Sequence, residues 1–136
     1  MQPSFSNIVY STDLKIVEHE VQEIELLGEN DLGGTFELSL GTSSDKVIFN
    51  FDESAVDFTT KLQSLPLIGS VNVDKAQLPN TYGCIWTVTF LSNLGDIPHL
   101  QHNGLLNLRG TNVSLSIAEK TKGNIGPQHV IVSNLE

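Results

Sequence analysis

Four histidines, one cysteine and sixteen acidic residues are the side chains of this sequence with the most potential for chemistry. His99 and His102 are separated by two residues and suggest a metal pair. Zinc needs three or four converging ligands in a defined geometry, and His19 and His129 form no second tight pair, so solvated loop histidines are the expectation. Cys84 with His99 would make a thiol nucleophile and its base. Cys84, however, alternates in phase with Trp86 and Val88, which places it in the core as a small hydrophobe. A single cysteine also excludes an intrachain disulfide and a multi-cysteine metal site. No Gly-x-Ser-x-Gly elbow, phosphate loop or His-Glu-x-x-His occurs. The residues therefore predict a chain that is not an enzyme and has no cofactor.

The acids cluster in two places. Glu29, Asn30 and Asp31 lie together in a loop, and Ca²⁺ takes six to eight oxygen ligands from such loops. Glu29 and Asp31 are the Ca²⁺ candidates, although the spacing is not that of an EF-hand. Asp52, Glu53 and Asp57 have a sufficient explanation as acids at a helix start, where the macrodipole favours them. A solvated acidic surface is the default for the rest. Asn112-Val113-Ser114 matches the glycosylation sequon, so Asn112 is a glycosylation candidate. Lys and Arg number seven against the sixteen acids, a net charge of −9. The seven cations are scattered, so phosphate backbones and anionic membranes are repelled and no nucleic acid is expected as partner. No run of 18 apolar residues predicts membrane insertion. The first residues lack the basic and apolar regions of a signal peptide; a secreted native protein would on this reading be represented by a mature fragment.

These residues must be positioned by strands. The chain has 136 residues, 39% of them hydrophobic and 17% charged, which suits one folded domain and not a disordered chain. Period-two alternation dominates. Phe36, Leu38 and Leu40 share a face, as do Val47, Phe49 and Phe51, and the turn formers of Gly41–Lys46 make the two runs a hairpin. Val17–Leu27 reads as a long strand whose phase slips between Val21 and Ile24, suggesting a bulge. Cys84–Phe90 is the strongest strand. Val71 and Val73 begin another before the turn at Leu78–Gly83, and Val113, Leu115 and Ile117 point inward from a strand over Asn112–Ala118. Ser92–Gly110 reads as a long polar connection, Gly123–Pro127 as a linker and His129–Val132 as a last short strand. One segment has helical spacing: Ala55, Phe58, Leu62 and Leu65. Ser54 supplies its cap and Pro66 its end, giving one amphipathic helix from about Ser54 to Leu65. The fold class is α+β, mainly β: an antiparallel, sandwich-like module with one helix.

Several of these pieces occur in an order that resembles a repeat module of large extracellular proteins of algae, oomycetes and other protists. They are Glu20-Val-Gln-Glu-Ile24, Gly34-Thr-Phe-Glu-Leu38, Leu62-Gln-Ser-Leu65 with Ile68-Gly-Ser-Val-Asn-Val73, Trp86-Thr-Val-Thr-Phe90 and Gly95-Asp-Ile-Pro-His-Leu100. Such modules are usually found in tandem, in cell-surface proteins and in hair-like mastigonemes of flagella. The resemblance implies an extracellular or cell-surface location and a structural, adhesive role without catalysis. It divides the chain into an extension or preceding-module strand at 1–18, one module at 19–123, and a linker with a strand at 124–136. The implied partners are neighbouring modules or copies of the chain itself, with head-to-tail pairing through Ser6–Tyr10 and His129–Val132 among the options. The alternative is a glycan- or Ca²⁺-binding module using the Glu29–Asp31 or Ser92–Gly110 loops, with Tyr82 the best-placed aromatic for a sugar.

Overall fold

The computed structural model describes residues 17–103 and 107–125. Eight strands and one helix follow in the order β1 (Val21–Leu27), β2 (Gly33–Leu40), β3 (Val47–Asn50), α1 (Ala55–Gln63), β4 (Val71–Gln77), β5 (Cys84–Phe90), β6 (Leu100–His102), β7 (Leu108–Arg109) and β8 (Ser114–Thr121). They form two antiparallel sheets. One has the order β4-β5-β1-β8; the other is β3-β2-β6, with β7 also paired to β2. The chain crosses between sheets after β1, through α1, after β5 and after β7. The predicted α+β, mainly β class therefore holds, with its single short helix. No helix among the described residues is long and apolar enough to cross a membrane.

Alternation decides which side chains enter the core. Cys84, Trp86, Val88 and Phe90 are buried from β5, Phe36, Leu38 and Leu40 from β2, and Ile24 and Leu26 from β1. Four fully buried aromatic rings close a cycle across the layers. Phe36 stacks on Phe49 at 5.5 Å, Phe49 meets Phe58 at 4.2 Å, Phe58 stacks on Trp86 at 5.1 Å, and Trp86 returns to Phe36 at 5.5 Å. Each such pair contributes about 0.5–1.5 kcal/mol beyond the area it buries. The indole N–H is satisfied by donating to the Glu53 carbonyl at 2.9 Å.

A nine-residue helix is too short to persist alone, and α1 is held by its ends and its buried face. Ser54 Oγ accepts from the Asp57 N–H at 3.1 Å, and Phe58 and Leu62 face inward. Glu53, read from the sequence as a helix-start acid, is buried. Its Oε1 accepts from the Asn50 N–H at 2.7 Å and from Lys61 Nζ at 2.8 Å. The edge strand β4 carries Lys75 opposite Trp86, with Nζ 5.9 Å from the indole and donating to the Asp52 carbonyl. A charged residue on this side blunts an edge that would otherwise invite pairing.

Three expectations are corrected. The first strand begins at Val21, not Val17, and its alternation is unbroken: Gln22, Ile24 and Leu26 are all buried, continuing the side of Glu20. The register shift lies opposite, where Val21 pairs Thr121 but Gln22 pairs Glu119. Ser92–Gly110 is not simply a loop, because β6 and β7 lie within it and hydrogen-bond to β2. Gly123 is no linker residue: it is buried, and a Cβ there would sit 1.9 Å from the Gly95 carbonyl oxygen. Beyond it, Asn124 pairs with Glu18 through both backbone bonds, at 2.8 and 2.9 Å. Val113 and Ile117 are half-buried against the core, and only Leu115 of that strand is fully inside.

Candidate functional site

The histidines and the cysteine take bland positions. His99 is exposed and its Nδ1 lies 2.9 Å from the Leu100 carbonyl. His19 and His102 each bury an Nδ1 without a hydrogen-bond partner among the described residues. His129 lies outside the described residues. Cys84 is buried, and loss of water pushes its thiol up to about 11, with nearby Lys75 opposing and Asp52 reinforcing the shift. A thiol so protonated is a poor nucleophile.

The side chains that could converge on a small ligand lie instead at the two ends of the β4-β5-β1-β8 sheet. At the end where β1 begins, Glu20, Asp96 and Glu119 bring their carboxylate oxygens within 4.8 Å of one another. Glu20 is fully buried. Its Oε1 accepts from the Gly123 N–H at 2.8 Å and the Ile97 N–H at 3.4 Å, and its Oε2 from Gln22 Nε2 at 3.0 Å. Gln22 in turn donates to the Pro98 carbonyl at 3.0 Å and accepts from the Leu100 N–H at 2.8 Å. One buried amide thus satisfies backbone groups on the free side of β6. Burial raises the Glu20 carboxyl, but hydrogen bonds from Glu119, Gly123, Gln22 and Ile97 together hold it below its ordinary value. Glu119 is pushed up to about 7, first by its hydrogen bond to Glu20, then by desolvation and by the Glu20 and Asp96 charges. Glu20 thus staples the start of β1 to the β5–β6 connection and to the segment after β8, and Lys122 offsets the charge of the cluster from 3.6 Å beside Asp96.

At the opposite end, roughly 25 Å along β1 at ~3.3 Å per residue, lies a groove of about 470 Å³. It is lined by Glu25 and Leu27 of β1, Glu29 beyond it, the β4–β5 turn from Leu78 to Thr81, and Asn112. Glu29 and Asn112 were singled out separately in the sequence. Here Asn112 Nδ2 donates to Glu29 Oε2. Asp31 turns the other way: Oδ1 accepts from the Thr111 N–H at 2.9 Å and Oδ2 from the Thr111 hydroxyl at 2.7 Å, which lowers its carboxyl below the ordinary value. The two Ca²⁺ candidates are thus engaged with different residues of the β7–β8 connection. Tyr82, beside the groove in sequence, is 65% exposed. Sequence reasoning missed Glu25 and Asn80; the Pro79-Asn80 pair signals only a turn.

No protein-family model and no curated protein matches this chain.

Proposed function

We propose that this chain is a non-catalytic structural module of an extracellular or cell-surface assembly, acting through packing against neighbouring modules or copies of itself. The observation that carries this reading is the Glu18–Asn124 pair. It holds the entering and leaving segments side by side, in the register of Val21 opposite Thr121 in the β1–β8 ladder. Buried Glu20 reinforces it by accepting from Gly123. Whatever flanks the module therefore connects at one end of the sandwich, and the other end is presented outward. Tension applied to both segments would open the β1–β8 ladder one bonded pair at a time, so lateral packing suits this geometry better than bearing load in series. The resemblance to tandem extracellular modules supports the same reading. Ser6–Tyr10 and His129–Val132, proposed to pair across module boundaries, lie outside the described residues and flank this clasp in sequence.

The test is a chain carrying two copies in tandem, compared with one copy by calorimetry and sedimentation velocity. Packing between modules predicts a higher melting temperature for the tandem chain and concentration-dependent association of the single copy. Two independent transitions at the single-copy temperature, with a monomer at all concentrations, would refute it.

A further inference from the structure

We propose that the groove between β1, the β4–β5 turn and Asn112 binds a neutral saccharide, with Glu25, Glu29 and Asn80 as its hydrogen-bonding residues. This goes beyond a packing role and does not depend on it. The volume, about 470 Å³, falls within the roughly 300–1,000 Å³ of small-molecule clefts.

The walls are preformed. Thr81 Oγ1 accepts from the Gly28 N–H at 3.1 Å and the Gly83 N–H at 3.1 Å, and donates to the Gly28 carbonyl at 2.8 Å. The Tyr82 N–H adds a bond to the same carbonyl at 3.0 Å. The turn is thus bolted to the end of β1, which lowers the ordering cost of binding. Among the described residues, the two non-glycine positions with positive φ are Asn80 at 61° and Asn112 at 53°, and both line this groove. Residues held in such sparsely populated conformations concentrate at ligand sites.

The polar groups on offer are mostly acceptors. Glu25 is half-buried, yet neither its carboxylate nor the Asn80 amide has a hydrogen-bond partner among the described residues. Glu29 keeps one oxygen beyond its bond from Asn112. Hydroxyl groups donate well to carboxylates, and the Asn80 amide both donates and accepts. Beside these groups stand Leu27, Leu78 and Pro79, which offer an apolar surface to the C–H face of a sugar ring. An anionic ligand is disfavoured, because no Lys or Arg lines the groove. A Ca²⁺ ion, which needs six to eight oxygens, would leave that apolar wall without a partner.

The experiment is calorimetric titration of the full chain, produced without glycosylation, with cellohexaose, laminarihexaose, mannohexaose and galactohexaose at millimolar concentration. CaCl₂ alone and trilysine serve as competing probes. At least one saccharide should bind with one-to-one stoichiometry. Glu25→Gln and Glu29→Gln should each weaken it about tenfold, with melting temperatures within a degree or so of the parent, as expected for surface changes. Binding by none of the saccharides, binding indifferent to both substitutions, or binding confined to CaCl₂ or trilysine would each overturn the proposal.

Discussion

Replacing Gln22 by Leu sets two physical arguments against each other. By alternation, position 22 is a core position, and burying a leucine there would gain about 1.5–3 kcal/mol. The contacts argue the reverse. The Leu100 N–H, the Pro98 carbonyl and one oxygen of Glu20 all depend on this amide, and Gln22 is fully buried. Leaving a buried polar group without its partner costs about 1–3 kcal/mol, and more when it is charged. The Pro98 carbonyl sits at the low end, because Pro98 is exposed and water can replace the amide. The summed loss is about 3–6 kcal/mol, so the variant should be less stable by about 2 kcal/mol when the middle of the apolar gain is subtracted from the middle of that loss. With a urea slope of about 2 kcal/mol per M, the midpoint falls by about 1 M. Trp86, the one tryptophan and fully buried, reports unfolding by fluorescence. An unchanged or raised midpoint would refute the view that this amide closes the sandwich.

Phe58→Ala removes the ring that joins α1 to Phe49 and Trp86; it should cost about 3–5 kcal/mol and lower the melting temperature by roughly 10–20 °C, and a loss near zero would mean that the helix does not anchor the core. Glu119 holds its proton to about 7 in the folded chain against an ordinary 4.5, so the folded state binds more protons in that window and stability should fall as pH rises through it. Glu20, held below 4.5, acts oppositely, and its contribution disappears as pH drops beneath that value. Glu119→Gln should flatten the fall in melting temperature from pH about 5 to 8; an identical slope in both proteins would sink this assignment. Cys84, pushed up to about 11, should react with iodoacetamide far more slowly in the native chain than in urea, and Cys84→Ala should be tolerated better than Cys84→Ser because a buried hydroxyl without a partner is costly.

The parts of the fold legible in the sequence are those where hydrophobicity and burial coincide. β5 runs over Cys84–Phe90 with four inward apolar side chains, and the β2–β3 hairpin pairs Phe36 with Phe49 as its two apolar runs require. The start of β1 fails because its inward positions are polar. Glu20 and Gln22 are satisfied by residues 76 to 103 positions away, and no local pattern carries that information. Hydrophobic phase alone then reads their positions as outward and puts on β1 a bulge whose extra residue lies on β8. β6 and β7, of three and two residues, are shorter than any periodicity window can detect. They exist because β2 offers them unpaired backbone groups.

The candidate groove shows the same limit from the other side. Glu29, Tyr82 and Asn112 each drew attention for their own chemistry, but only the antiparallel arrangement of β1, β5 and β8 brings their segments to one end of a sheet. Glu25 drew none, since nothing in its neighbourhood distinguishes it from Glu20 or Glu23. What separates Glu20 from Glu25 is parity. The two lie an odd number of residues apart on one extended segment, so they face opposite sides. Glu20 is turned into a shell of N–H donors and becomes a structural staple. Glu25 is turned outward beside an open turn, and its acceptors have no partner among the described residues. On this chain, the role of a carboxylate follows from strand phase and from which loop covers it, and those are properties of the sheet and not of the residue type.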